Sequence, residues 1–146
     1  MIEKILDLAF TGTRNGMETK QAFTVRLLLA RKKPRSVHHG DCKGADAEFH
    51  AMALKQGCKI IIHPPTVSTL RAFLSGEKKP PKPYLERNQD IVDSSSELIA
   101  APETEREVTR SGTWSTVRYA RKKGKLISIV LPSGELQIVE RRKDVV

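Results

Sequence analysis

The chain is poor in several things, and each shortage narrows what it can be. Two cysteines, Cys42 and Cys58, in 146 residues are too few for a disulfide framework and point to a reducing, cytosolic setting. Aromatic residues make up only 5%, poor material for a base-stacking platform on single-stranded nucleic acid. No apolar run approaches the roughly 18 residues that span a bilayer, so no membrane association is expected. The opening MIEKILDLAF carries Glu3 and Asp7, which is unlike a secretory leader. Acid is scarce beside base, with 17 Asp and Glu against 26 Lys and Arg for a net charge of +9. That surplus suggests a polyanionic partner, either nucleic acid or a small phosphorylated ligand.

What is present alternates short apolar runs with helical patterns. This predicts an α/β Rossmann-like three-layer sandwich with a mainly parallel central sheet, built as one domain over 1–146. Strands are expected at Ile5–Thr11, Ser36–Gly40, Lys59–His63, Glu97–Ala101 and Leu126–Leu131. The turn Pro132–Glu135 leads to a C-terminal antiparallel edge strand at Leu136–Glu140. Helices are expected from Thr19 as cap to Ala30, with Phe23, Leu27 and Ala30 inward, and over Ala45–Gln56, with Ala45, Phe49, Met52 and Ala53 inward. Two more fall at Tyr84–Asp93 and Gly112–Lys123. Thr66–Pro83, rich in proline, reads as an irregular, lid-like loop, and Arg141–Val146 as a frayed tail.

Ligands of open parallel sheets bind beyond the carboxyl ends of the strands. Three strand ends here carry glycine and hydroxyl residues: Thr11-Gly-Thr-Arg14, His39-Gly-Asp-Cys-Lys-Gly-Ala-Asp46 and, after the fourth strand, Arg110-Ser-Gly-Thr113. Glycine lets a phosphate approach backbone N–H groups, and helix N-termini after Gly44 and Gly112 add partial positive charge. Each loop taken alone is also an ordinary turn or cap.

These motifs, TGTR at 11–14, HGDCKGAD at 39–46, ERN at 86–88 and SGT at 111–113, resemble the SLOG superfamily. The likeness is to its YspA-like branch, related to the LOG (lysine-decarboxylase-like) and DprA proteins, and it covers roughly Ile5–Val130. The resemblance implies a Rossmann-like fold and a pocket for ribose and phosphate. Its members include hydrolases of nucleoside monophosphates and sensors of ADP-ribose-type signals. On it, Thr11, Gly12, Thr13 and Arg14 would cradle one phosphate, and Gly40, Asp41, Lys43, Gly44 and Asp46 would form the second loop. Arg87, beside Asn88, would pair with phosphate, and Arg110, Ser111, Gly112 and Thr113 would hold another. The hydrolases resemble MHxRKxEM and PGGxGTxxE, with the Arg and the final Glu catalytic. Arg87 matches the first motif and is the catalytic candidate if the chain is an enzyme. Thr116 stands where the glutamate belongs, and a threonine cannot stabilise the charge that develops as a glycosidic bond breaks.

Trp114 and Tyr84 can each be read as stacking on a ligand ring or as packing on the sheet. His38 and His39 cannot face one metal, because adjacent strand side chains alternate. His63 reads as structural, Cys42 as an inert thiol, and the basic runs at 31–35 and 118–125 as solvated surface. No metal or cofactor is expected. The leading expectation is binding of a nucleotide-derived signal, such as an ADP-ribose or cyclic-nucleotide derivative, without turnover, serving to sequester or sense it. The alternatives are an N-glycosidase (phosphoribohydrolase) of nucleoside monophosphates and a single-strand nucleic-acid binder. Cysteine usage points to the cytoplasm, and the family resemblance implies a homo-oligomer.

Overall fold

In the computed structural model, which describes residues 5–141, seven strands form one sheet flanked by four helices. In chain order these are β1 (Asp7–Gly12), α1 (Thr19–Lys32), β2 (Ser36–His39), α2 (Ala45–Lys55), β3 (Lys59–Ile62), β4 (Glu77–Lys78), α3 (Tyr84–Asp93), β5 (Glu97–Ala101), α4 (Gly112–Lys122), β6 (Leu126–Val130) and β7 (Leu136–Val139). The sheet runs β4-β3-β2-β1-β5-β6-β7. Every neighbouring pair is parallel except β6 and β7, which form an antiparallel hairpin at the edge. The fold is the Rossmann-like α/β sandwich that the alternating pattern predicts.

Side-chain alternation along the strands supplies both hydrophobic layers. Leu8 and Phe10 of β1 face α1 and α2, where Phe10 stacks on Phe49 with ring centroids 4.2 Å apart. Ala9 faces the other way, toward Val117 and Ala120 of α4 and Ile91 of α3. A strand buried on both faces needs apolar residues at consecutive positions, which is why β5 reads Leu-Ile-Ala-Ala. The strand order reverses at β1, which lies between β2 and β5. A ligand crevice is expected at the carboxyl ends of that pair.

Helix α1 corrects the expected inward face. Phe23, Leu27 and Ala30 are exposed, the first two by 54% and 41%, whereas Gln21, Val25 and Leu29 are buried. The chain offers two apolar stripes on this helix, and a polar residue decides between them. The Gln21 side-chain amide donates to the carbonyls of Pro102 at 2.8 Å and Val130 at 2.9 Å. Glu18 rather than Thr19 is the cap, through a reciprocal capping box with Gln21.

The 66–83 segment is less irregular than its prolines suggest. It contains a single 3-10 turn at Ser68–Leu70 and the two-residue strand β4, which pairs with β3. It is tied down by Asp41, which is wholly buried. The Asp41 carboxylate accepts from Arg71 Nε and the Leu74 amide, both at 2.9 Å, and its carbonyl accepts from the Ala72 amide at 2.7 Å. The segment therefore lies over the second glycine loop, and none of its residues lines the crevice at β1 and β5. The expected tail lies outside the described residues beyond Arg141.

Candidate functional site

A cavity of about 530 Å³ opens where β1 and β5 end. The first loop contributes Gly12, Thr13, Arg14 and Asn15, and the approach to α4 contributes Arg110, Ser111, Gly112 and Thr113. Tyr84, at the start of α3, and Glu103 and Thr104, just after β5, complete the polar wall.

The N-terminus of α4 is the strongest anion-binding feature of this wall. Ser111 is the cap, its hydroxyl accepting from the Trp114 amide at 3.2 Å. Gly112 and Thr113, in the first helical turn, line the cavity, and their amides have no acceptor among the described residues. Unpaired amides, the helix dipole and the flanking Arg110 together favour a bound anion. Arg14 reaches the same cavity with its guanidinium 4.9 Å from the centre of the Tyr84 ring. Hydrogen bonding to Tyr84 raises its pKa further, so it is charged throughout the working range.

The second loop serves a different purpose. The first amide of α2, at Ala45, donates to Thr13 O at 2.9 Å, so the first loop packs against that helix end. Gly44 has φ +88, and a Cβ there would collide with the Arg14 carbonyl. A Cβ on Gly12 would meet that of Ala45, one on Gly40 the Arg87 guanidinium, and one on Gly112 the Tyr84 hydroxyl. Close protein contacts alone are enough to require glycine at these positions. Lys43 and Gly44 line a separate shallow cleft with Arg71 and Phe73.

Below the cavity lies a packed polar cluster. Thr11, Gly40, Asp46, Arg87 and Asn88 surround a void of only about 10 Å³. Arg87 is 3% exposed. Its guanidinium donates to the carbonyls of Gly40 and His63, to Asn88 Oδ1 at 2.8 Å and to the Cys42 sulfur at 3.7 Å, and it lies 4.8 Å from the Tyr84 ring centre. Asp46 is buried. Burial pushes its carboxyl up to about 6, against the opposing pull of the Arg87 guanidinium and the backbone N–H groups of Cys42 and Gly40. Burial, helped by the Asp46 charge, also raises the Cys42 thiol above its usual range. Arg87, expected to grip phosphate, instead ties α3 to the ends of β2 and β3. It stands one layer beneath the cavity, with Tyr84 between.

The two aromatic readings resolve differently. Trp114 is 3% exposed in the core under α4, its Nε1 donating to Thr104 Oγ1 at 3.0 Å, so it anchors the 103–109 segment and offers no face to a ligand. Tyr84 is half-buried in the cavity wall. Thr116 is buried, and its hydroxyl donates to Gly112 O at 2.9 Å. It presents nothing to the cavity. The carboxylate there comes from Glu103, whose Oε1 accepts from Asn15 Nδ2 at 2.7 Å.

The four histidines form two buried pairs across β2. His38 Nδ1 lies 2.8 Å from His63 Nε2, and His39 Nε2 lies 2.9 Å from His50 Nδ1. Burial lowers all four, His39 to about 3 and His63 to about 4. Among the described residues, no group of three His, Cys, Asp or Glu side chains could hold a metal ion. No helix among them is long and apolar enough to cross a membrane.

The architecture matches solved structures. The molybdenum cofactor binding protein from the phototrophic bacterium Rippkaea orientalis superposes with a TM-score of 0.67 at 19% identity, covering 88% of this chain and 77% of that one. The protein TM1055 superposes with a TM-score of 0.62 at 15% identity, covering 84% and 72%. At these identities the likeness is one of fold. No protein-family model matches the chain, and no curated protein does.

Proposed function

We propose that the chain binds a nucleotide-derived, phosphate-bearing ligand at the ends of β1 and β5, such as an ADP-ribose or cyclic-nucleotide derivative, and does not cleave it. The observation that carries this reading is the α4 N-terminus. Two free amides, Arg110 and Arg14 converge on one cavity, while the position where related hydrolases place a glutamate holds a buried Thr116 bonded to its own helix. The SLOG resemblance of the four glycine-bearing motifs belongs to the same reading. A neighbour of similar fold that binds a molybdenum cofactor supports small-ligand binding on this architecture and adds that cofactor to the ligands worth testing.

Calorimetry against mononucleotides, ADP-ribose isomers and cyclic nucleotides tests the reading. At least one is expected to bind, and Arg110→Ala to weaken it about tenfold or more, as loss of a charge-assisted contact does. A panel with no binder sinks the proposal. Chromatography after long incubation is expected to recover the ligand intact. Released base would favour the N-glycosidase reading, for which Glu103 is the carboxylate at hand. Binding to single-stranded DNA that grows with oligonucleotide length and collapses with salt would favour the nucleic-acid reading.

A cytoplasmic role in sequestering or sensing the ligand, and self-association, complete the proposal. Exposed Phe23 and Leu27 on α1 support self-association, and light scattering that gives a monomer at working concentration removes it.

A further inference from the structure

One wall of the cavity does not suit a bare anion. Glu103 places a carboxylate, which can only accept hydrogen bonds, in a cavity that also holds the cationic donors Arg14 and Arg110 and the N-terminal residues Gly112 and Thr113 of α4. It is held there by the fold. Asn15 Nδ2 donates to its Oε1 at 2.7 Å, and Asn15 is itself fixed by its amide donating to Thr13 Oγ1 at 3.1 Å. The following residues are pinned as well: Thr104 Oγ1 accepts from Trp114 Nε1 and donates to Arg106 O, and Glu105 accepts from the Ser133 amide. Asn15 leaves Glu103 Oε2 without a partner among the described residues.

A phosphate offers only acceptors. At about 4 Å from Glu103 it would be repelled by about 1 kcal/mol in water, and by about 4 kcal/mol in a partly shielded site. The ligand that satisfies both walls carries an anion for the α4 end and hydroxyl donors for the carboxylate. We infer that Glu103, oriented by Asn15, accepts the sugar hydroxyls of a phosphate ester. The site thereby selects a free ribose diol over deoxyribose, over bare phosphate and over sugars whose hydroxyls are cyclised or phosphorylated. This rests on the phosphate-binding reading of the same cavity, and it prefers an ADP-ribose-type ligand with a free diol to a 2′,3′-cyclic nucleotide or single-stranded DNA.

Calorimetry with ribose 5-phosphate, 2-deoxyribose 5-phosphate and inorganic phosphate tests it on the full chain. Wild type should hold ribose 5-phosphate at least about tenfold tighter than the deoxy sugar, the range of a hydrogen bond to a charged group. Glu103→Gln should reduce that ratio to below about threefold and tighten inorganic phosphate. Asn15→Ala, which removes the hydrogen bond that orients the carboxylate, should also lower the ratio. Because Glu103 and Asn15 are exposed, both variants should keep the wild-type melting temperature. Equal affinity of the wild type for the two sugars, or an unchanged ratio in Glu103→Gln, overturns the diol inference alone. No binding of any of the three probes overturns the phosphate site and the inference with it.

Discussion

Arg87 shows how a residue type can be right for a site and serve another end. Arginine suits phosphate because its guanidinium forms a planar fork of donors, yet here that fork is spent on two carbonyls, a side-chain amide and a thiol. Removing it would strand the Gly40 and His63 carbonyls and leave Asp46 without its cationic neighbour. Arg87→Ala is therefore expected to cost about 1–3 kcal/mol of stability for each stranded carbonyl, read as a lowered urea midpoint. A ligand contact without structural weight would instead weaken binding at unchanged stability. Gly40→Ala should destabilise through the same contact, since its Cβ would meet the guanidinium. Thr116 carries the complementary lesson. Its 2% exposure means that Thr116→Glu would bury a carboxylate, and the expected result is a poorly folded protein with no gain of glycosidase activity.

At the scale of elements, the rotation of α1 turns on one glutamine. Apolar stripes at 23, 27 and 30 and at 25, 28 and 29 compete for the sheet, and hydrophobic spacing alone does not separate them. Gln21 does, because its side-chain amide donates to the carbonyls of Pro102 and Val130 at the ends of β5 and β6. Gln21→Leu should leave both buried and unpaired, at about 1–3 kcal/mol each. Circular dichroism melts of Gln21→Leu and Gln21→Glu will test this, and a melting temperature equal to wild type for Gln21→Leu contradicts the assignment. Strand β4 was equally hidden. Two charged residues, Glu77 and Lys78, carry no period-2 apolar signal, and their pairing with β3 depends on the path set by Asp41 one loop away.

At the scale of the whole molecule, the paired histidines predict how stability depends on pH. Their folded pKa values lie below the ordinary 6.5, so the folded protein binds fewer protons than the unfolded chain. Their contribution is complete above about pH 6.5 and is lost as pH falls toward about 4, where the unfolded chain takes up protons that the two buried pairs refuse. Asp46, raised to about 6, opposes this between about pH 4 and 6, since its stabilisation is greatest in acid and fades as pH rises. Four histidines against one aspartate make the net effect a loss on acidification, on the order of a few kcal/mol by pH 4. The fluorescence of Trp114, the single tryptophan, will report urea midpoints at pH 7, 6, 5 and 4. A flat series contradicts the buried-pair account.

Much of this protein was legible in its sequence because the deciding forces are local. Apolar runs, the glycines and prolines that interrupt them and the helical spacing of Ala45, Phe49 and Ala53 reflect backbone preference and one-dimensional periodicity. They yield the order of the strands and helices other than β4, the parallel sheet and the edge hairpin. The loops at the strand ends were also visible, and the α4 turn at 110–113 lies in the cavity where the glycine-hydroxyl pattern places it. The tertiary structure decided what each glycine makes room for, which stripe of α1 is buried and that Asp41 anchors a loop. It also placed Arg87 beneath the cavity and brought Glu103 of an insertion beside Asn15. Those outcomes depend on contacts between residues 24 to 109 positions apart, whose energies come from burial and hydrogen-bond partners that no neighbouring stretch of chain encodes.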